Sequence, residues 1–118
     1  MKLLSESEFK TRIVQLILDA KTEQALEELA DHYNVTVPKL KIGLPRGHKI
    51  NTLGCYETRN ETVSVLNGET FRNPSVVIHE FYHHLRTDIT RKHLGSEKKA
   101  REFAQNFIEA YNKTNLGM

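Results

Sequence analysis

The sequence predicts an α+β fold, a small and mostly three-stranded antiparallel sheet packed with about four helices. Three observations predict it. Apolar residues recur at helical spacing near both ends of the chain. Between those stretches, short segments alternate apolar and polar residues with a period of two. The length, 118 residues, suits one domain rather than two. Residues 1–118 are therefore read as a single domain: a helical part at 1–34, a sheet at 35–72, and further helices at 73–88 and 96–112.

Each element has a local reason. Ser5 followed by Glu8 has the form of a capping box, in which hydroxyl and carboxylate bond reciprocally to first-turn amides. After it Phe9, Ile13, Leu16, Ile17 and Ala20 fall at helical spacing. A second helix sets Ala25, Leu26, Leu29, Ala30 and Tyr33 on one side and ends near Asn34. Val35-Thr36-Val37-Pro38 is extended. Leu40, Ile42 and Leu44 then alternate with Lys39, Lys41 and Gly43, which gives a first strand. A loop at 44–48 leads to a second strand at 52–58, with Leu53 and Cys55 on one face. Arg59-Asn60 is a turn, and 61–66 is a third strand with Val63 and Val65 inward. Asn67-Gly68 ends it. These short connections predict an antiparallel meander. Asn73-Pro74, a cap followed by a first-turn proline, starts a helix that runs to about residue 88. Ser96 is a good N-cap for the last one.

Composition excludes several classes of function. The longest apolar run is three residues, as in Leu16-Ile17-Leu18, so no membrane segment is expected. Met1-Lys2-Leu3-Leu4-Ser5-Glu6 turns charged after two leucines and makes no signal-peptide core. A single cysteine, Cys55, has no intrachain partner for a disulfide, so a cytoplasmic location is the expectation. The net charge of +2 divides into −3 over 1–34, +4 over 35–60, −2 over 61–90 and +3 over 91–118. No block carries five like charges in a row, which describes a mixed solvated surface. Residues 25–41 look like the first part of a helix-turn-helix. A recognition helix from Pro38 would meet Gly43 and Pro45 too soon to fill a major groove, so no nucleic-acid partner is expected.

One motif carries chemistry. His79-Glu80-Phe81-Tyr82-His83 is an HExxH sequence on a predicted helix. At about 100° per residue, with Val77 at 0°, Phe81, Leu85, Ile78 and Tyr82 span about 40° to 140°. His79, His83 and Glu80 fall at about 200°, 240° and 300°, on the other side. Residues i and i+4 sit one above the other, so two imidazoles can converge on one ion with bonds of about 2.0–2.1 Å. Glu80 is rotated away and can reach a water on that ion without displacing a ligand.

A catalytic zinc usually takes three protein ligands and keeps one position open. A metzincin pattern would need Gly at 86 and His at 89; Arg86 and Ile89 exclude it. On the last helix Glu102 and Glu109 point away from the apolar face of Ala100, Phe103, Ala104 and Phe107. Glu97 lies about 50° from the centre of that face, in line with Ala100 and Ala104. Ala100 is small enough for close helix approach. Glu97 is thus the favoured third ligand, with His93 in the connector as its competitor.

HExxH followed by Glu97-Lys98-Lys99-Ala100 resembles the gluzincin pattern HExxH…ExxA(D). It is similar to the catalytic domains of CAAX prenyl proteases and HtpX-type heat-shock proteases, and to their small soluble relatives, the minigluzincins. The resemblance runs from about residue 40 to 107 and takes in the strand–turn–strand before the active-site helix. It implies a zincin-like active-site helix, Zn2+ as cofactor, His79, His83 and Glu97 as ligands, and Glu80 as general base. The family's Asp four residues after the ligand Glu is Arg101 here, and Arg accepts no hydrogen bond. The ImmA/IrrE-type regulator peptidases are also similar, but they carry Glu where Lys99 stands.

The implied reaction is hydrolysis of a peptide or protein substrate, with Glu80 passing a proton from the attacking water to the leaving amine. His84, His93, Tyr56 and Arg101 are candidates for oxyanion or substrate contact, whereas Tyr82 lies on the apolar side. A strand edge within 52–66 could pair with an extended substrate. Cys55 reads as a half-buried strand cysteine, with a thiolate cap on zinc as the alternative. Residues 1–34 read as scaffold for the active-site helix, with a cleft-covering pro-segment as the alternative. A different class of reading is a zinc-bound interaction module without catalysis, which a fourth protein ligand would favour.

Overall fold

The computed structural model describes residues 4–47, 51–90 and 96–116. Helix α1 spans Glu6–Leu18 and α2 spans Thr22–Tyr33. The Ser5–Glu8 capping box forms as the sequence requires: Glu8 N donates to Ser5 Oγ at 3.1 Å and Ser5 N to Glu8 Oε1 at 3.0 Å. Asn34 closes α2 in the left-handed conformation, φ 57°, which its short polar side chain tolerates. Strands β1 (Lys39–Ile42), β2 (Gly54–Glu57) and β3 (Thr62–Val65) follow. Then come a single turn, α3 (Gly68–Phe71), and two long helices, α4 (Pro74–Thr90) and α5 (Glu97–Leu116).

The fold is α+β, with a correction to the sheet. Its order is β1-β3-β2: β2 pairs antiparallel with β3, as the turn at 59–60 demands, but β1 pairs parallel with β3. The sheet is therefore mixed rather than a meander. The physical reason lies in burial. All four residues of β3 are buried, the mark of a central strand, so its alternation says nothing about its neighbours. Lys39-Leu40-Lys41-Ile42 is largely exposed, and lysines suit an edge. The segment 25–41 holds no helix-turn-helix, because the residues after Pro38 are strand.

The core lies between α1, α2, the sheet and the inner faces of α4 and α5. Ile13, Ile17, Leu29, Val63, Phe81 and Phe107 are all wholly buried in it. Burying each such side chain is worth about 1.5–3 kcal/mol. Helix α1 lies along α5: Tyr111 donates to Gln15 at 3.1 Å and the Thr11 and Thr114 hydroxyls meet at 3.2 Å. The N-terminal helices thus pack against α4, and none of their residues lines the cleft described below. No helix among the described residues is long and apolar enough to cross a membrane.

Candidate metal centre

Helix α4 begins where Asn73 accepts the amides of Ser75 and Val76, at 3.0 and 3.4 Å. That start fixes which side chains face inward. Val77, Ile78 and Phe81 are fully buried, and His79, Glu80 and His83 turn to the opposite side. Helix α5 begins at Ser96, whose hydroxyl accepts the Lys99 amide at 3.0 Å. Glu97 is then the first helical residue, where the helix dipole favours a carboxylate. Ala100 and Ala104, 0% and 4% exposed, keep α5 close to α4 and bring Glu97 over the histidines.

The three side chains converge. His79 Nε2 lies 2.7 Å from Glu97 Oε2, and His83 Nε2 lies 3.0 Å from Glu97 Oε1. Their ligand atoms all fall within 4.8 Å of one another, and the group could hold a metal ion. No fourth ligand joins it among the described residues. His93, the competing third ligand, lies outside them. Burial alone would raise the Glu97 pKa, but hydrogen bonds and charge from His79 and His83 outweigh it and hold the carboxyl below its usual range.

The donor set fits zinc. Two imidazole nitrogens and one carboxylate oxygen are ordinary zinc ligands, and three of them leave a position open. A tetrahedral ion sets such atoms about 3.3 Å apart, so the His–Glu97 distances of 2.7 and 3.0 Å would open and the 4.8 Å spread of the group would close around an ion. The Glu97 side chain is 66% exposed and free to adjust; those of His83 and His79 are 5% and 17% exposed and held.

Glu80 sits beside the group on the wall of a cleft of about 490 Å³. It is buried, and burial together with repulsion from Glu97 pushes its pKa up to about 8. A divalent cation on the neighbouring ligands works in the other direction, favouring the carboxylate. The backbone of β2 presses on this residue. A Cβ built on Gly54 would lie 2.8 Å from Val76 Cγ1 and 3.3 Å from Glu80 Cγ, so only glycine lets the edge strand come this near.

The remaining candidates separate. Arg101 lines the same cleft as His79, Glu80 and Glu97. His84 does not: it is fully buried and part of a polar knot. Its Nε2 lies 2.7 Å from the Thr36 carbonyl, which can only accept, so Nε2 carries the proton. In that tautomer Nδ1 accepts from the Tyr56 hydroxyl at 2.8 Å. His84 and Tyr56 therefore tie α4 to β2 and to the segment before β1. Helical angle could have revealed this, since His84 falls at about 340°, only about 20° from buried Val77 and about 100° from His83. Tyr82 is buried, with its ring 5.3 Å from that of Phe103. Burial, then the charges of Glu80 and Glu57, raise the Cys55 pKa, which disfavours the thiolate a zinc cap would need.

Two helices thus bring an HExxH pair and a carboxylate to one point, beside a buried acid in an open cleft. Comparison of the chain with protein-family models, curated proteins and solved structures gave no match.

Proposed function

We propose that this chain is a zinc metallopeptidase of the minimal gluzincin type, acting on a peptide or protein substrate. The observation that carries the reading is the convergence of His79, His83 and Glu97 within 4.8 Å beside buried Glu80. The reading places the resemblance to the minigluzincins on residues that meet in space, Ala100 included, since its small side chain sets the helix spacing that Glu97 needs.

Zinc, when bound, acidifies a water and polarises a carbonyl. The chain supplies the rest. His79 and His83 bind through Nε2 and Glu97 through its carboxylate. Glu80 takes a proton on a carboxylate oxygen and returns it to the leaving amine. Leu53, Gly54 and Val76 wall the cleft beside it. The reading also puts the enzyme in the cytoplasm, where a lone thiol such as Cys55 stays reduced.

Metal analysis and a general peptidase assay on wild type and Glu80→Gln test the proposal together. Both proteins should carry one zinc per chain, and Glu80→Gln should lose at least about a hundredfold in kcat. Hydrolysis retained by the variant would remove Glu80 from its role, and a wild type that takes up no zinc would overturn the reading.

A further inference from the structure

The cleft continues past the metal ligands along α5. Glu97, Arg101 and Gln105 all line it, and each follows the last by four residues. They therefore stand in one row, about 6 Å apart along the helix axis. Ala104 fills out this wall, and Leu53 and Val76 face it. Among the described residues Arg101 is the one lysine or arginine in the lining, and it is exposed. Among the described residues its side chain makes no ion pair and no hydrogen bond. The carboxylate one turn back, Glu97, would be its ordinary helical partner. Glu97 is turned instead to His79 and His83, at 2.7 and 3.0 Å. A guanidinium fork is thus presented, unengaged, on a partly apolar wall, with the amide of Gln105 one turn beyond. Glu80 and Glu97 would repel an acidic ligand from this cleft. A dication on the three ligands offsets that repulsion and leaves Arg101 as the deciding charge.

We infer that Arg101, backed by Gln105, is a specificity site for a carboxylate on the substrate, so that the chain cuts peptides with a carboxylate near the scissile bond. This rests on the peptidase reading above. An extended peptide advances about 3.3 Å per residue, so the 6 Å step from Glu97 to Arg101 corresponds to one or two residues. The carboxylate is an Asp or Glu side chain or the substrate's own C-terminus; both offer the same planar pair of oxygens.

The test uses alanine pentapeptides carrying Glu or Gln at each position in turn, with free or amidated C-termini, and the zinc-loaded protein. Wild type should prefer a carboxylate at one position by about tenfold in kcat/KM. In Arg101→Gln that ratio should fall to about one, and Arg101→Glu should prefer Lys to Glu. A preference seen only with free C-termini assigns the site to the terminal carboxylate, and one that survives amidation assigns it to a side chain. No preference in wild type, or the same preference in Arg101→Gln, overturns the inference. A second arm needs no turnover. Zinc-loaded Glu80→Gln protein, with and without Arg101→Gln, is titrated with the same peptides carrying a fluorescent label, read by anisotropy. The carboxylate peptide should bind about tenfold tighter only where Arg101 is present. If nothing is cleaved but this difference appears, the peptidase reading fails and the carboxylate site stands. Equal binding of the paired peptides overturns the site whatever the catalytic result.

Discussion

His83 and His84 are neighbours on one helix and almost equally buried, 4% and 0% exposed, yet they face opposite surroundings. About 100° of helical rotation separates them. His83 turns to Glu97, an exposed side chain at a helix start that can move aside for a cation. His84 has both ring nitrogens committed, one to a main-chain carbonyl and one to a tyrosine hydroxyl. Burial therefore does not tell a candidate ligand from a structural histidine. The mobility of the partner does, because a carboxylate on a free rotor can yield its place and a backbone carbonyl cannot.

The sharpest way to break this comparison is to truncate each ring. His83→Ala should weaken zinc at least about a hundredfold in a chelator competition, more than losing an outer supporting group costs. His84→Leu should keep zinc affinity within a few-fold but lose about 3 kcal/mol in urea unfolding, since it strips a buried hydrogen bond from Thr36 and from Tyr56. Equal loss of zinc in the two variants would erase the distinction. Tyr56→Phe keeps the ring beside His84 and removes only the hydroxyl, and about 1 kcal/mol is expected. The smallest effect belongs to a pair remote from both histidines. Arg12 donates from Nε and from its terminal nitrogen to the two Glu28 oxygens, at 2.6 and 2.8 Å. The Arg12 hydrogen bond first, then one from Gln24 and the Arg12 charge, outweigh burial and hold the Glu28 carboxyl below its ordinary 4.5. The contribution is thus present above the unfolded carboxylate range and is lost as pH falls through the lower folded value. Glu28→Gln should cost about 0.5 kcal/mol at pH 7 and nothing in strong acid, by urea titration at both. A penalty that persists in acid would show that packing, not charge, is what the substitution removes.

The convergence of the candidate metal group was legible in the sequence because helical spacing is rigid. The four-residue step from His79 to His83 and the small Ala100 and Ala104 beside Glu97 leave few places for the three side chains to meet. The helix starts at Ser5, Asn73 and Ser96 were legible for the same reason: a cap is a local bond. The strand order was not, because nothing local distinguishes β1 joining one side of β3 from β1 joining the far side of β2. The turn α3 was missed since Asn67-Gly68 also fits the end of a strand. There Asn67 Oδ1 accepts the Thr70 amide at 3.0 Å and Thr70 Oγ1 accepts the Asn67 amide at 2.8 Å, a cap without the usual acid. The place of Gly54 against Glu80 was hidden too, because it depends on how near a strand comes to a helix.

Gly54 also sets where this cleft can change over generations of variants. Beside Glu80 the wall is main chain, and any side chain introduced there would strike Val76 before it met a ligand. Diversity has to come from the facing row, where Arg101 and Gln105 are exposed and tolerate exchange without disturbing the core. A laboratory effort to retarget this protein should therefore randomise positions 101 and 105 and hold 54 fixed.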